Sequence, residues 1–313
     1  MNCTGSPEPP LPPPVWFWYT TDAVNGQVKK RAPANTEAWR ACLAAEGPAL
    51  GLADCRAFLE NKYINDAFFE GTCRGRACVV KCSSKCPWSI GNEYRLGRRV
   101  FEAAPEVVAE PLAWHDQPAF VAVEKVDGPS LTELLAAGVA PAQADGFAAD
   151  VLRLARALRE AGVVHRDVFS DNLILGTDGH LKLIDFQLAI DCADYHEDPW
   201  VERHWKFRYV VFGVNRELGL GVWNDFHAFG KVLALLPQTD VVKDAAAWLA
   251  AEAPQMTFGA PPDKFTWFKL RLYALSLRFQ MFLNRNRAEK FARLERRFRT
   301  ITNHQPPTTN YEP

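Results

Sequence analysis

Three oxygen-bearing side chains stand where apolar runs end. Asp167 and Asn172 lie in VVHRDVFSDNLIL (residues 163–175), and Asp185 lies in LKLIDFQLA (residues 181–189). Carboxylates there are poor structural choices unless they serve a charged ligand. One arrangement suits all three. A divalent ion holding nucleotide phosphates needs hard oxygen ligands, which Asn172 and Asp185 can supply, while Asp167 orients an acceptor hydroxyl or takes its proton.

Elements on both sides must hold these residues in place. AFFEG and RACVVK read as short strands separated by a turn carrying Gly71 and Gly75, and Phe120 to Val126 as another, stopped by Asp127, Gly128 and Pro129. NEYRLGRRVFEAA reads as helix, with Leu96, Val100 and Phe101 at core spacing. Ser130 or Thr132 can cap a short helix. From Asp150 to Ala161, Val151, Leu154 and Leu158 share one helical face, and Gly162 ends it. NLILGTDGHLKLID reads as a hairpin, which would set Asn172 and Asp185 near its two ends. Upstream, a helical pattern runs from Asn35 or Thr36 through Trp39, Leu43 and Ala44, interrupted by EGPALGLAD. The proline cluster of the first fourteen residues can build neither helix nor ladder.

At Asp167, Asn172 and Asp185, the sequence resembles the protein-kinase-like superfamily. HRD with Asn five positions after its Asp matches the catalytic loop, and Asp185-Phe186 the start of the metal-binding element. NDFHAFG adds Asp225, in the position of an Asp that buttresses the catalytic-loop backbone in that family. The resemblance covers residues 68–236 and implies an α+β, two-lobed kinase-like fold: a small sheet-rich N-lobe, a mainly helical C-lobe, and ATP with Mg2+ between them. It implies Lys81 as the phosphate-contacting strand lysine and Glu93 as its helix partner, with Glu102 and Lys85 as rivals. Glu124 and Val126 would offer backbone groups to adenine. His165 and Arg166 would be structural parts of the loop.

Departures from the family bear on the substrate. Phe169 stands two residues after Asp167, where protein serine/threonine kinases carry a lysine, and Gln187 replaces the DFG glycine. GNEYRLGRRVF and LIDFQLA look like the bacterial kinases of lipopolysaccharide core sugars (heptose or Kdo). The expectation is therefore an ATP- and Mg2+-dependent kinase acting on a sugar or glycolipid hydroxyl. The alternatives are a Ser/Thr protein kinase and a pseudokinase scaffold. The segment 190–222 stands where kinases carry the substrate loop and is rich in Tyr195, Trp200, His204, Trp205, Phe207 and Tyr209.

Composition sets the remaining bounds. The chain has 313 residues, 48% hydrophobic and 23% charged, with 36 basic against 37 acidic side chains. This is a globular composition without the charge excess that marks a nucleic-acid partner. Residues 263–299 are the exception, with eleven Lys/Arg against three acids. Leu272, Leu275, Phe279 and Phe282 form an apolar stripe there beside Arg271, Arg278 and Arg285, a pattern that suits either core docking or an anionic membrane surface. No apolar run reaches about 20 residues and no signal-peptide pattern is present, so the expected place is the cytoplasm, or the inner face of a membrane. Cys73, Cys78, Cys82 and Cys86 are spaced by four, three and three residues, which is not a zinc pattern and reads as structural thiols. The expected organisation is a Pro-rich tail (1–33), a helical addition (34–62), an N-lobe (63–126), a C-lobe (127–302) and a tail (303–313).

Overall fold

The computed structural model describes residues 19–21, 28–30, 36–61, 66–83, 87–193 and 222–259, together with Phe268 and Leu272. The fold is α+β, with a five-stranded sheet and several helices. It divides into two compact units, one of Met1–Arg95 with Glu110–Lys125 and one of Leu96–Ala109 with Val126–Pro313.

In the first unit, β1 (Tyr19–Thr21) pairs antiparallel with β2 (Val28–Lys30), inside the stretch expected to be a tail. Helix α1 (Thr36–Glu46) and a 3-10 turn (Gly47–Leu50) lead into β3 (Leu52–Asn61). The sheet continues through β4 (Asp66–Cys73), β5 (Arg76–Ser83), β6 (Pro111–His115) and β7 (Phe120–Glu124), in the order β3-β4-β5-β7-β6 with every pairing antiparallel. Residues 52–61, read from the sequence as part of a helical addition, are thus an edge strand. Its alternation is broken by register shifts after Ala53 and Ala57, which hid it. The other edge, β6, starts at Pro111, where a missing N–H costs no ladder bond.

Alternation along β5 sorts its two faces. Cys78, Val80 and Cys82 are buried in a core with Trp39, Cys42 and Leu43 of α1, which recur at helical spacing. Lys81 belongs to the opposite face. A two-residue turn joins β4 to β5, with Arg74 (φ 52°) and Gly75 (φ 78°) both left-handed, as a primed hairpin turn requires. Gly71 is not part of that turn. It lies within β4, where a Cβ would meet the Ala53 carbonyl at 2.8 Å and Cys55 Sγ at 3.1 Å.

Helix α2 (Pro87–Ala103) starts five residues earlier than the NEYR pattern suggests. Its residues up to Arg95 belong to the first unit and the rest to the second. The second unit is built around α4 (Pro141–Glu160), which buries Phe147, Val151, Leu154 and Leu158 on one face, each contributing roughly 1.5–3 kcal/mol. α3 (Leu131–Ala137) is capped by Ser130 in a reciprocal box with Glu133, so Ser130 and not Thr132 starts it. β8 (Val163–Val164) pairs with β11 (Ile190–Asp191), and β9 (Leu173–Leu175) forms a hairpin with β10 (Leu181–Leu183). β12 (Val222–Trp223) pairs with β13 (Phe258–Gly259). Between these two strands lie α5 (Asp225–Leu233), capped by Asn224, and α6 (Asp240–Glu252), capped by Thr239. Among the described residues, no helix is long and apolar enough to cross a membrane.

Candidate functional site: a buttressed loop and a buried lysine pair

The loop after β8 is held from below by α5. Asp225 is buried at the first turn of that helix, and its carboxylate accepts the backbone N–H of His165 at 2.5 Å and of Arg166 at 3.1 Å. Burial pushes its carboxyl up to about 6, against the two backbone donors and the nearby Arg166 charge, which pull it down. Arg166 adopts φ 68°, a conformation that costs a branched or bulky residue about 1–3 kcal/mol. The strain is offset by its partners: Nε donates to the Leu188 carbonyl at 2.5 Å, and the guanidinium lies 5.0 Å from the Trp223 ring centroid. His165 is locked as well. Its Nε2 donates to the Ile184 carbonyl at 3.0 Å, its Nδ1 accepts the Asp167 N–H at 3.3 Å, and its ring meets Phe186 edge-on at 4.7 Å. With one ring nitrogen donating and the other accepting, the imidazole is a neutral fixed strut.

This loop delivers Asp167 and Asn172 together. Asn172, at the end of a 3-10 turn (Ser170–Asn172), donates its Nδ2 to the Asp167 backbone carbonyl at 2.9 Å and to Asp167 Oδ2 at 3.2 Å. Its Oδ1 accepts no hydrogen bond from a described residue and is left as a hard oxygen. The Asn172 carbonyl in turn accepts the Ile184 N–H at 3.0 Å, which ties the start of the hairpin to its end, one residue before Asp185. Asp185 has left-handed dihedrals (φ 71°, ψ 63°) and starts the 3-10 turn Phe186–Leu188. The strained position is Asp185 itself, so Gln187 does not need glycine's freedom. The Nε2 of Gln187 is buried without a hydrogen-bond partner. A carboxylate and an amide oxygen match the donor chemistry of Mg2+, so the residues present fit that ion.

In the first unit, Lys81 Nζ lies 2.8 Å from Glu93 Oε1, with both residues buried. The rival Glu102 is exposed and pairs with Arg98 at 3.1 Å. Lys85, the rival lysine, falls outside the described residues, as do the aromatics of 195–209, Cys86, and the basic segment 263–299 apart from Phe268 and Leu272, which are exposed. The Glu124 N–H is already committed to the Glu110 carbonyl at 2.8 Å, and its Oε2 accepts the Glu110 N–H at 3.0 Å. Of the two residues expected at adenine, Val126 alone keeps an N–H unbonded to any described residue.

Burial holds the thiols protonated: Cys78 is pushed up to about 12, and Cys55 and Cys73 are raised as well. Among the described residues, no three or more His, Cys, Asp or Glu side chains are grouped as metal ligands, so the oxygen donors of Asn172 and Asp185 are not part of a larger acidic or thiolate cluster.

Two contributors escaped the sequence reading. Thr132 Oγ1 and Ser170 Oγ are 2.7 Å apart, linking α3 to the turn that carries Asn172. Asp150 is buried in α4 and accepts from the hairpin. Asp150 did leave a signal, because it is a carboxylate three residues from Phe147 and four from Leu154, on the stripe that should be apolar.

No family model matches the chain. It is 37% identical over 79 residues to the serine/threonine-protein kinase STE20 of Debaryomyces hansenii, a stretch covering 25% of this chain and 7% of that protein. A serine/threonine-protein kinase of Aspergillus oryzae is 32% identical over 83 residues, covering 26% of this chain and 10% of its own length. The serine/threonine-protein kinase SMU1 of Mycosarcoma maydis is 37% identical over 68 residues, covering 21% and 9%. The chain thus spans a tenth or less of the length of these relatives. The relationship is to kinases, and nothing in it points to lipopolysaccharide sugars.

Proposed function

We propose that this chain is an ATP- and Mg2+-dependent phosphotransferase with a hydroxyl acceptor. The observation that carries the reading is the Asp167–Asn172 pair, in which the amide N–H2 faces the catalytic carboxylate and leaves its oxygen for a metal. Asp167 would orient the acceptor hydroxyl and take its proton, while Asn172 and Asp185 would hold Mg2+. Lys81, aligned by Glu93, would contact the α and β phosphates, and Val126 with Glu124 would meet adenine. Bound Mg2+ supplies charge neutralisation on the transferring phosphoryl group.

The kinase relatives support a serine or threonine hydroxyl of a protein as acceptor. A second reading, a sugar hydroxyl of a glycolipid such as a lipopolysaccharide core sugar, rests on Phe169 at the position of the protein-kinase lysine. The basic segment 263–299 would then face the anionic inner surface of a membrane.

Incubating the purified full chain with γ-labelled ATP and Mg2+, against a protein fraction and a glycolipid fraction, separates the readings. Label in protein supports the first and label in glycolipid the second. Turnover that persists in both Asp185→Ala and Asp167→Ala refutes the active-site assignment. Folded protein without any turnover leaves a pseudokinase scaffold.

A further inference from the structure

The hairpin β9–β10 carries Asn172 immediately before its first strand and Asp185 two residues after its second, so its placement decides where both oxygen donors stand. Three sets of contacts fix it. Val107 and Ala109 exchange backbone hydrogen bonds with Leu183, at 2.8 and 3.2 Å. Pro129 accepts the Leu175 N–H at 2.9 Å, beside a bridge between Ser130 and Ile174. The third is different in kind, because it comes from a buried charge.

Asp150 is 2% exposed in the middle of α4. Its Oδ2 accepts the backbone N–H of Leu181, the first residue of β10, at 2.9 Å. Its Oδ1 accepts from His180 Nδ1 at 3.0 Å and from Arg153 Nη1 at 3.2 Å. A carboxylate is costly to bury, and here three N–H donors, two of them on the hairpin, compensate it. An apolar residue would pack against the same core and would leave the Leu181 N–H unsatisfied. The charge therefore acts as a register pin rather than as core filling.

We infer that Asp150 is a positioning residue for the metal site: it fixes the hairpin on α4 so that Asn172 and Asp185 present their oxygens together. The inference rests on the phosphotransferase reading and adds to it a residue that touches neither nucleotide nor acceptor. Groups that hold metal ligands in place from outside typically change metal affinity by about 10–100-fold when removed.

The test uses the full-length protein, Mn2+ as the probe metal and a non-hydrolysable ATP analogue, with binding followed by the paramagnetic signal of free Mn2+. Asp150→Asn, with wild-type circular dichroism, is expected to weaken Mn2+ binding about tenfold. Affinity for the analogue at saturating metal should stay unchanged, and excess Mg2+ should restore turnover. The Leu181 amide should exchange faster with solvent. His180→Ala, which removes one exposed-side donor, gives a smaller shift in the same direction and serves as the reporter if Asp150→Asn does not fold. Wild-type Mn2+ affinity in the folded variants overturns the inference and leaves the phosphotransferase reading standing. A wild-type chain that takes up no metal with the analogue overturns the phosphotransferase reading itself.

Discussion

The Asp225 carboxylate receives the backbone N–H groups of His165 and Arg166, 60 and 59 residues away in sequence, through one oxygen each. This buried contact sets the strained Arg166 backbone, and through it the direction in which Asp167 leaves the loop. Its energetics have two opposite pH signatures. Burial raises the folded carboxyl to about 6 from 3.8. The native state therefore binds the proton more tightly than the unfolded chain does, and this group's contribution to stability is full below about pH 4 and lost as pH rises through about 6. Relative to Asp225→Asn, which does not titrate, the wild type should lose about 3 kcal/mol of unfolding free energy between pH 3.5 and pH 7. Turnover should run the other way, falling below pH 6 as the ionised acceptor of both N–H groups disappears. Denaturant melts of the two proteins at several pH values check the first statement, and a pH–rate profile the second.

Lys81 and Glu93 form a buried pair at 2.8 Å. Breaking such a pair from one side costs more than removing both charges. Glu93→Leu should lose about 3 kcal/mol of stability, and Lys81→Met/Glu93→Leu should recover part of that loss. A double-variant loss equal to the sum of the losses in Glu93→Leu and Lys81→Met alone, measured by urea unfolding, would show that the pair is not coupled. Affinity for the ATP analogue should fall in every variant that lacks Lys81.

Two glycines should respond in opposite senses to alanine. A Cβ on Gly128 would sit 1.9 Å from the Leu175 carbonyl oxygen, which is backbone and cannot turn aside. Gly128→Ala should cost about 2 kcal/mol and disturb the hairpin contact at Pro129. Gly146 lies inside α4 with open space around its Cβ direction. Gly146→Ala should add about 1 kcal/mol. Thermal unfolding of the two single variants reads both signs.

Phe169 is half-buried and extended, and its carbonyl accepts the Asn172 N–H at 3.0 Å. The contact uses backbone alone, so Phe169→Lys keeps it. If proteins are the acceptors, the new cation beside the transferring phosphate should raise the protein-labelling rate several-fold. A rate that falls together with analogue binding would instead mark the ring as part of the site's packing.

Local pattern exposed much of this architecture and long-range pairing concealed the rest. The β9–β10 hairpin and the helix through Leu154 follow from local periodicity. So does the short helix after Pro129, although choosing Ser130 over Thr132 as its cap needed the contact with Glu133. β3 was missed because Asp54 takes a left-handed φ of 56° and two register shifts break its alternation. β6 was missed because an edge strand of five residues opening on proline carries little signal. In the site, residue types and order mark Asp167, Asn172 and Asp185. The choice of Glu93 over Glu102 depends on which side of α2 meets β5, and that becomes visible only once the strand is placed. Asp150 was legible as an anomaly, a carboxylate on an apolar stripe, but its purpose lay thirty residues downstream.

The two faces of β5 have a further consequence. A strand offers its side chains to alternate sides, so deleting one residue anywhere between Arg76 and Lys81 would swap their audiences. The ammonium group would be turned into the apolar core that holds Trp39, Cys42 and Leu43, and a thiol would be turned towards Glu93. The lysine's pairing is thus inseparable from a count of residues, and a slipped register in this ladder would part Lys81 from Glu93 even where both side chains survived.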